Sequence, residues 1–233
     1  TGVTPCALPI LRRAAFALGM LIGRTAELLG ALLVLAETGI LFAGVLSRYV
    51  FNSPLIWTDE LATFLFLWLA MLGAVVAVRR DGHMRLTTFV NWCAPSLGNW
   101  LGTVAELVVI VFVIEIIVPI AAYLKVQEST ELITLHISDG YRVAALMVGA
   151  GLISIVALLR LLETTTLRGF LSALFVVGAV AGALWLAQPA LVAMGFGSLI
   201  LFFVILVAGC VGIGVPIAFT FGIATLSYLT LTT

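Results

Sequence analysis

A stretch of 17 residues without a charge, from Ala62 to Val78, constrains the fold of this chain more than any other feature. It follows two acids, Asp59 and Glu60, and it ends at Arg79-Arg80. A helix needs about this length of apolar sequence to cross the hydrocarbon core of a bilayer, and a basic cluster fixes the side on which it ends. The stretch therefore predicts a membrane-spanning helix.

The composition extends this prediction to the whole chain. Of the 233 residues, 63% are hydrophobic and only 9% are charged, whereas soluble domains carry about 25% charged residues. The long apolar runs lack the ten-residue alternation of a transmembrane β-barrel, so helices must satisfy the backbone hydrogen bonds. We expect an all-α integral membrane protein, a polytopic helix bundle. The net charge is zero and the basic residues lie in small clusters between the apolar runs, so we expect no nucleic acid partner.

Seven apolar segments are candidates for membrane spans, and the last two are short. They lie near residues 26–46, 61–78, 101–124, 141–161, 169–187, 195–211 and 217–231. Prolines and glycines mark breaks between them: Pro95 before the third segment, Gln188-Pro189 after the fifth, and Gly212 to Pro216 between the last two.

The basic residues indicate how the chain is oriented. With the N-terminus in the cytoplasm, the outer side holds only Arg48, Lys125 and Arg142. The cytoplasmic side then holds Arg12, Arg13, Arg24, Arg79, Arg80, Arg85, Arg160 and Arg168. Positive residues are enriched in cytoplasmic loops, so we expect a cytoplasmic N-terminus.

Residues 1–25 precede the first predicted span. Arg12-Arg13 followed by the apolar residues 14–22 is similar to a signal peptide, but no small-residue cleavage site follows. We favour a cytoplasmic or interfacial lead-in that lies on the membrane.

Thr58, Asp59 and Glu60 open the second predicted span, and two interpretations of them stay open. In the structural one, Thr58 caps the helix and the two acids interact with the positive end of its dipole. In the functional one, Arg48 from the same outer connection pairs with one of the acids, and together they shape a docking surface.

Glu37 and Glu115 lie near the middle of their spans, with no Lys or Arg at comparable depth in the same helix. An acid at this depth costs at least about 2.5 kcal/mol on insertion scales, so each requires a partner or a proton. One interpretation is an ion or proton site. The other, which we favour, is a neutral carboxyl that bonds to a neighbouring helix of this chain or of a partner subunit.

The remaining reactive residues suggest no catalytic or metal site. His83 lies in a predicted cytoplasmic turn, and His136 lies in an outer loop with the acids Glu128, Glu131 and Asp139. We expect this acidic loop to be solvated, and the alternative is that it meets a soluble partner. The three cysteines show no metal-ligand spacing. An alternative function is the membrane anchor or redox subunit of a multi-subunit complex. A haem-bearing anchor would need paired histidines inside the bundle, and these two are predicted on opposite sides.

The segment that begins at Arg48 resembles a known family. Its residues include Arg48-Tyr49-Val50-Phe51-Asn52, Pro54-Leu55, Trp57-Thr58-Asp59-Glu60-Leu61, Phe66, Trp68-Leu69, Leu72-Gly73-Ala74, Ala77-Val78-Arg79 and His83. This pattern is similar to the small membrane subunit of tripartite ATP-independent periplasmic (TRAP) transporters, and the resemblance covers roughly residues 25–165. Family members often carry two glutamates where this chain has Asp59-Glu60. They also tend to have an acid after the stretch that corresponds to His83-Met84-Arg85, and this chain lacks it.

A second segment resembles the start of the large membrane subunit of the same transporters. It comprises Ser198 to Val204, Gly214-Val215-Pro216-Ile217-Ala218-Phe219 and Gly222. The resemblance implies a small-subunit domain of four helices over residues 26–165, a linking transmembrane helix over 166–194, and a truncated large-subunit part over 195–233.

What the resemblance implies about function is specific. Such transporters import organic acids such as C4-dicarboxylates or sialic acid by symport with sodium, and a soluble periplasmic binding protein delivers the substrate. The small subunit acts as a rigid scaffold in the bacterial inner membrane. We therefore expect no enzyme activity and no cofactor, with the sodium sites in the rest of the large subunit. The candidate interface or structural residues are Arg48, Asp59, Glu60, Glu37, Glu115 and His83.

Overall fold

The computed structural model describes residues 7–80 and 95–232, and helices dominate this part of the chain. One isolated antiparallel bridge joins Glu131 and Ser138 in the connection between the third and fourth helices. The helices are α1 (Ala7–Tyr49), α2 (Trp57–Arg79), α3 (Pro95–Glu128), α4 (Gly140–Thr164), α5 (Leu167–Leu186), α6 (Gln188–Ala193), α7 (Gly197–Ile213) and α8 (Ile217–Thr232). Residues Leu201–Leu206 of α7 are π-helical.

Among the described residues, five helices are long and apolar enough to cross a membrane, and they correspond to the first five predicted spans. Helices α7 and α8, which match the last two predicted segments, are apolar but shorter. The predicted fold class, a helical membrane bundle, is confirmed.

Helix α1 is longer than the sequence predicted. It runs without interruption from Ala7 to Tyr49, so no break separates the predicted lead-in from the predicted span at 26–46. Its 43 residues span about 65 Å at 1.5 Å per residue, about twice the thickness of the hydrocarbon core. Residues 7–49 contain no proline after Pro9, and glycine alone does not interrupt a transmembrane helix.

The predicted breaks have local causes. Pro95 is the first residue of α3, a position where its missing N–H costs nothing. Gln188 and Pro189 begin the short helix α6 after α5 ends at Leu186. At the end of α7, Gly214 adopts a left-handed conformation with φ of 92°, which a residue with a side chain rarely adopts, and Pro216 follows.

The described chain forms two compact units. The first comprises residues 7–16, 95–116 and 157–232, and the second comprises 17–80 and Ile117–Val156. In the first unit, the ring of Phe112 on α3 packs edge-on against Phe219 on α8, with centroids 5.6 Å apart. Phe202 of the π-helical stretch packs in the same way against Tyr228 at 5.9 Å.

In the second unit, helices approach each other closely at glycine residues. A Cβ at Gly149 of α4 would lie 2.7 Å from Cβ of Met71 on α2, and a Cβ at Gly44 of α1 would lie 2.9 Å from Oγ1 of Thr58. The side chain of Arg79 lies against Gly19 and Gly23 of α1 in the same manner. Small residues at such points allow transmembrane helices to pack closely.

Candidate functional site

The connection between α1 and α2 holds the predicted ion pair. Nη2 of Arg48 donates to Oδ2 of Asp59 over 3.2 Å, with 51% of the first side chain and 71% of the second exposed. The pairing that the sequence suggested is therefore observed. Because both groups are well exposed, the pair contributes less than about 1 kcal/mol to stability.

Glu60 has a different role from its neighbour. Its carboxylate accepts hydrogen bonds from the backbone N–H groups of Ile133 and Thr134 at 2.8 Å and of Leu135 at 3.1 Å, and from the hydroxyl of Thr134. Consecutive amides that point at one carboxylate form an anion-binding nest. Through these hydrogen bonds, Glu60 holds the connection between α3 and α4 against the start of α2.

The prediction that Thr58 caps α2 is wrong. No side chain caps this helix, and the Thr58 hydroxyl donates to the carbonyl of Leu55 at 2.8 Å instead of accepting from an N–H group. Thr58 is fully buried and faces Gly44 of α1. A small side chain fits this contact with Gly44, and this requirement explains the threonine at position 58 better than helix capping does.

The acidic loop between α3 and α4 is not uniformly exposed. Glu128 and Glu131 are exposed, but Asp139 is only 3% exposed. Oδ1 of Asp139 lies 2.7 Å from Nε of Arg142, and its Oδ2 accepts from the side-chain amide of Gln127 at 3.1 Å. The expectation of a solvated cluster is therefore wrong for Asp139, because Arg142 in the first turn of α4 stabilises its charge.

Two further ion pairs were not anticipated. Nε of Arg80 lies 2.7 Å from Oε1 of Glu27, and this hydrogen bond raises the pKa of Arg80 above its ordinary value. Nη1 of Arg160 lies 3.5 Å from Oε1 of Glu106, and both side chains are largely buried. The available signal was that each acid and its arginine were predicted on the same side of the membrane.

The two acids within the spans have no such partner in the part of the chain that is described. Glu37 on α1 is half-buried and Glu115 on α3 is exposed, and neither carboxyl forms a hydrogen bond or ion pair there. Glu37 belongs to the second unit and Glu115 to the first. Their predicted roles stay predictions.

The histidines add no site within the described residues. His83 lies outside them. His136 is exposed, has a φ of 52°, and its Nδ1 lies 3.2 Å from the carbonyl oxygen of Thr134. No group of three or more His, Cys, Asp or Glu side chains within 7–80 and 95–232 could hold a metal ion.

The five long apolar helices among the described residues define a multi-pass helical membrane protein. The family model for the DctQ component of tripartite ATP-independent periplasmic transporters matches residues 37–167, more than half of the chain. The chain belongs to this family of small permease components, which are transporter parts and not enzymes.

Individual relatives agree with this assignment. The chain is 30% identical over 131 residues to the sialic acid TRAP transporter small permease protein SiaQ of Vibrio cholerae. This match covers 55% of the chain and 75% of the relative. It is 33% identical over 79 residues, 34% of each chain, to the C4-dicarboxylate small permease protein DctQ of the same organism.

A third relative is a larger protein. The chain is 42% identical over 90 residues to the sialic acid TRAP transporter permease protein SiaT of Haemophilus influenzae. The match covers 39% of the chain but only 15% of the length of the relative. This match is consistent with the predicted fusion of small and large permease segments.

Proposed function

We propose that this chain supplies the static membrane frame of a sodium-coupled TRAP transporter that imports an organic acid. The observation that carries the proposal is the match of the small-permease family model to residues 37–167, which contain the Glu60 nest and the Arg48–Asp59 pair. Charge-assisted contacts that hold helix connections together favour a rigid part over a moving one.

The substrate belongs to the organic acids, and sodium is the coupling ion. The relatives named for sialic acid and for C4-dicarboxylates support a carboxylate substrate without selecting between them. The sodium and substrate sites lie in the remainder of the large permease, whose first helices we assign to residues 195–233. The match to SiaT supports this assignment.

The partners are the rest of the large permease and a soluble periplasmic binding protein, and the location is the bacterial inner membrane. The N-terminus lies in the cytoplasm, so the Arg48–Asp59 pair and the loop held by Glu60 face the periplasm. The excess of arginine on the opposite side supports this orientation. We assign this outer surface to the docking of the binding protein.

Reconstitution tests the proposal. Proteoliposomes that contain the complete membrane protein should accumulate a labelled organic acid only with the binding protein present and an inward sodium gradient imposed. Residues 1–233 alone should accumulate none. Uptake by residues 1–233 alone would contradict a scaffold role. Uptake by the complete transporter without sodium would contradict the proposal that sodium is the coupling ion.

A further inference from the structure

An open recess lies beside the connection between α4 and α5, within the first unit. It has a volume of about 310 Å³, and it is lined by Arg12, Arg13 and Phe16 of α1 and by Glu163 near the end of α4. Nη2 of Arg12 donates to the carbonyl oxygen of Thr165 over 3.4 Å, which holds this guanidinium beside the connection. We call this feature the Arg12 recess.

The Arg12 recess lies where the membrane meets water. Helices α4 and α5 are both long and apolar enough to cross a membrane, and only residues 165 and 166 connect them. Two spans reverse direction outside the hydrocarbon, because a turn leaves backbone groups that lipid cannot satisfy. The hydrogen bond to Thr165 therefore places Arg12 at the level of the lipid headgroups. The excess of arginine predicts that this surface is the cytoplasmic one.

The recess carries more positive than negative charge. Within the described residues, Arg13 forms no hydrogen bond or ion pair, and the Thr165 carbonyl is the one hydrogen-bond acceptor of Arg12. A guanidinium has several N–H donors, so most donors of the two arginines are available to a ligand. Arg168, in the first turn of α5, is exposed and adds a further cation close to Thr165 along the chain. Among the described residues that line the recess, Glu163 is the one acid.

A phosphate diester with acyl chains fits this surface. Arginine binds phosphate oxygens through paired N–H groups, and basic pockets at the cytoplasmic ends of helices bind anionic headgroups. Phe16 lies one turn beyond both arginines along α1 and is 50% exposed, so an acyl chain can lie against its ring. We propose that the Arg12 recess binds the phosphate of an anionic phospholipid such as phosphatidylglycerol. This site is separate from the transport of an organic acid and does not depend on that proposal.

Native mass spectrometry of the complete membrane protein, purified in detergent and titrated with single lipids, tests the ligand. Phosphatidylglycerol should bind at least about tenfold more tightly than phosphatidylcholine, because the choline cation offsets the attraction of the arginines. Inorganic phosphate at the same concentration should not displace the lipid, because it has no acyl chain. Equal affinity for the two lipids, or displacement by inorganic phosphate, would overturn the proposal.

A matched pair of variants tests the location. Arg13→Gln should lower the affinity for phosphatidylglycerol about fivefold, the loss expected for one arginine near an anionic headgroup. Arg24→Gln removes the same charge from an exposed position further along α1, so the affinity should stay within about twofold because salt screens distant charges. An equal fall in the two variants, or no fall in Arg13→Gln, would overturn the recess as the site. Since no described residue bonds to Arg13, the variant should keep its helix content, which circular dichroism measures.

Discussion

At the scale of single residues, Asp59 and Glu60 show how neighbouring acids acquire different roles. The carboxylate of Asp59 meets one exposed arginine, whereas that of Glu60 meets three backbone amides and a hydroxyl. The Arg48–Asp59 pair was predictable because its members lie 11 residues apart on one connection. The Glu60 nest was not, because its partners lie more than 70 residues away in a loop without a distinctive pattern.

Removing the Glu60 carboxylate should loosen the connection between α3 and α4. Glu60→Ala leaves several N–H groups without their charged acceptor, so we expect a loss of about 2 kcal/mol in unfolding free energy. The control Asp59→Ala should lose less than about 1 kcal/mol. Thermal unfolding in detergent measures both. Hydrogen exchange at the amides of residues 133–135 should accelerate only in Glu60→Ala, and equal exchange in the two variants would contradict the nest.

At the scale of helices, the sequence predicted most elements because their causes are local. An uncharged run specified α2, Pro95 specified the start of α3, and Gly214 with Pro216 specified the end of α7. The length of α1 was missed because a sequence with few charges and no interior proline gives no boundary signal. The burial of Asp139 was missed because it depends on Gln127 and Arg142 from two different helices.

The contact between α2 and α4 depends on the absence of a side chain at Gly149. Its Cβ would lie 2.3 Å from Cε and 2.7 Å from Cβ of Met71, and the latter atom cannot move without the backbone. Gly149→Ala should therefore destabilise the protein by about 1–3 kcal/mol.

The matched control for this variant is Gly151 on the same helix. A Cβ at Gly151 would meet no atom of the described residues within 4 Å beyond the backbone of its own helix. Gly151→Ala should keep or raise stability by up to about 1 kcal/mol, because alanine favours helix. Thermal melting curves in detergent compare the two variants. Similar melting temperatures would show that α2 and α4 do not approach as closely as described.

At the scale of the whole molecule, the fold class and the family could be predicted from the sequence. Apolar runs report lipid exposure directly, and the segment from Arg48 to His83 carries the resemblance that the family model then confirmed. Orientation, domain limits and the fusion stay predictions, because they depend on the membrane and on the rest of the transporter.

Accessibility labelling tests the orientation. In a variant without the native cysteines, Ile133→Cys should react in intact spheroplasts with a maleimide that cannot cross membranes. Ile133 is 88% exposed in the connection between α3 and α4, which is predicted to lie outside. Arg168→Cys, predicted on the cytoplasmic side, should react only after the membrane is opened. The reverse pattern would invert the topology.

The claim that this part of the transporter is a static frame has a direct test in the pair Gly30→Cys and Leu69→Cys. These residues face each other where α1 contacts α2, because a Cβ at Gly30 would lie 4.0 Å from Cδ1 of Leu69. A short thiol cross-linker should link them in the complete cysteine-free transporter. If the frame stays still during transport, linked and unlinked proteins should take up substrate at equal rates. A rate that collapses on linking and recovers when a cleavable linker is cut would show that these helices move, contrary to the account.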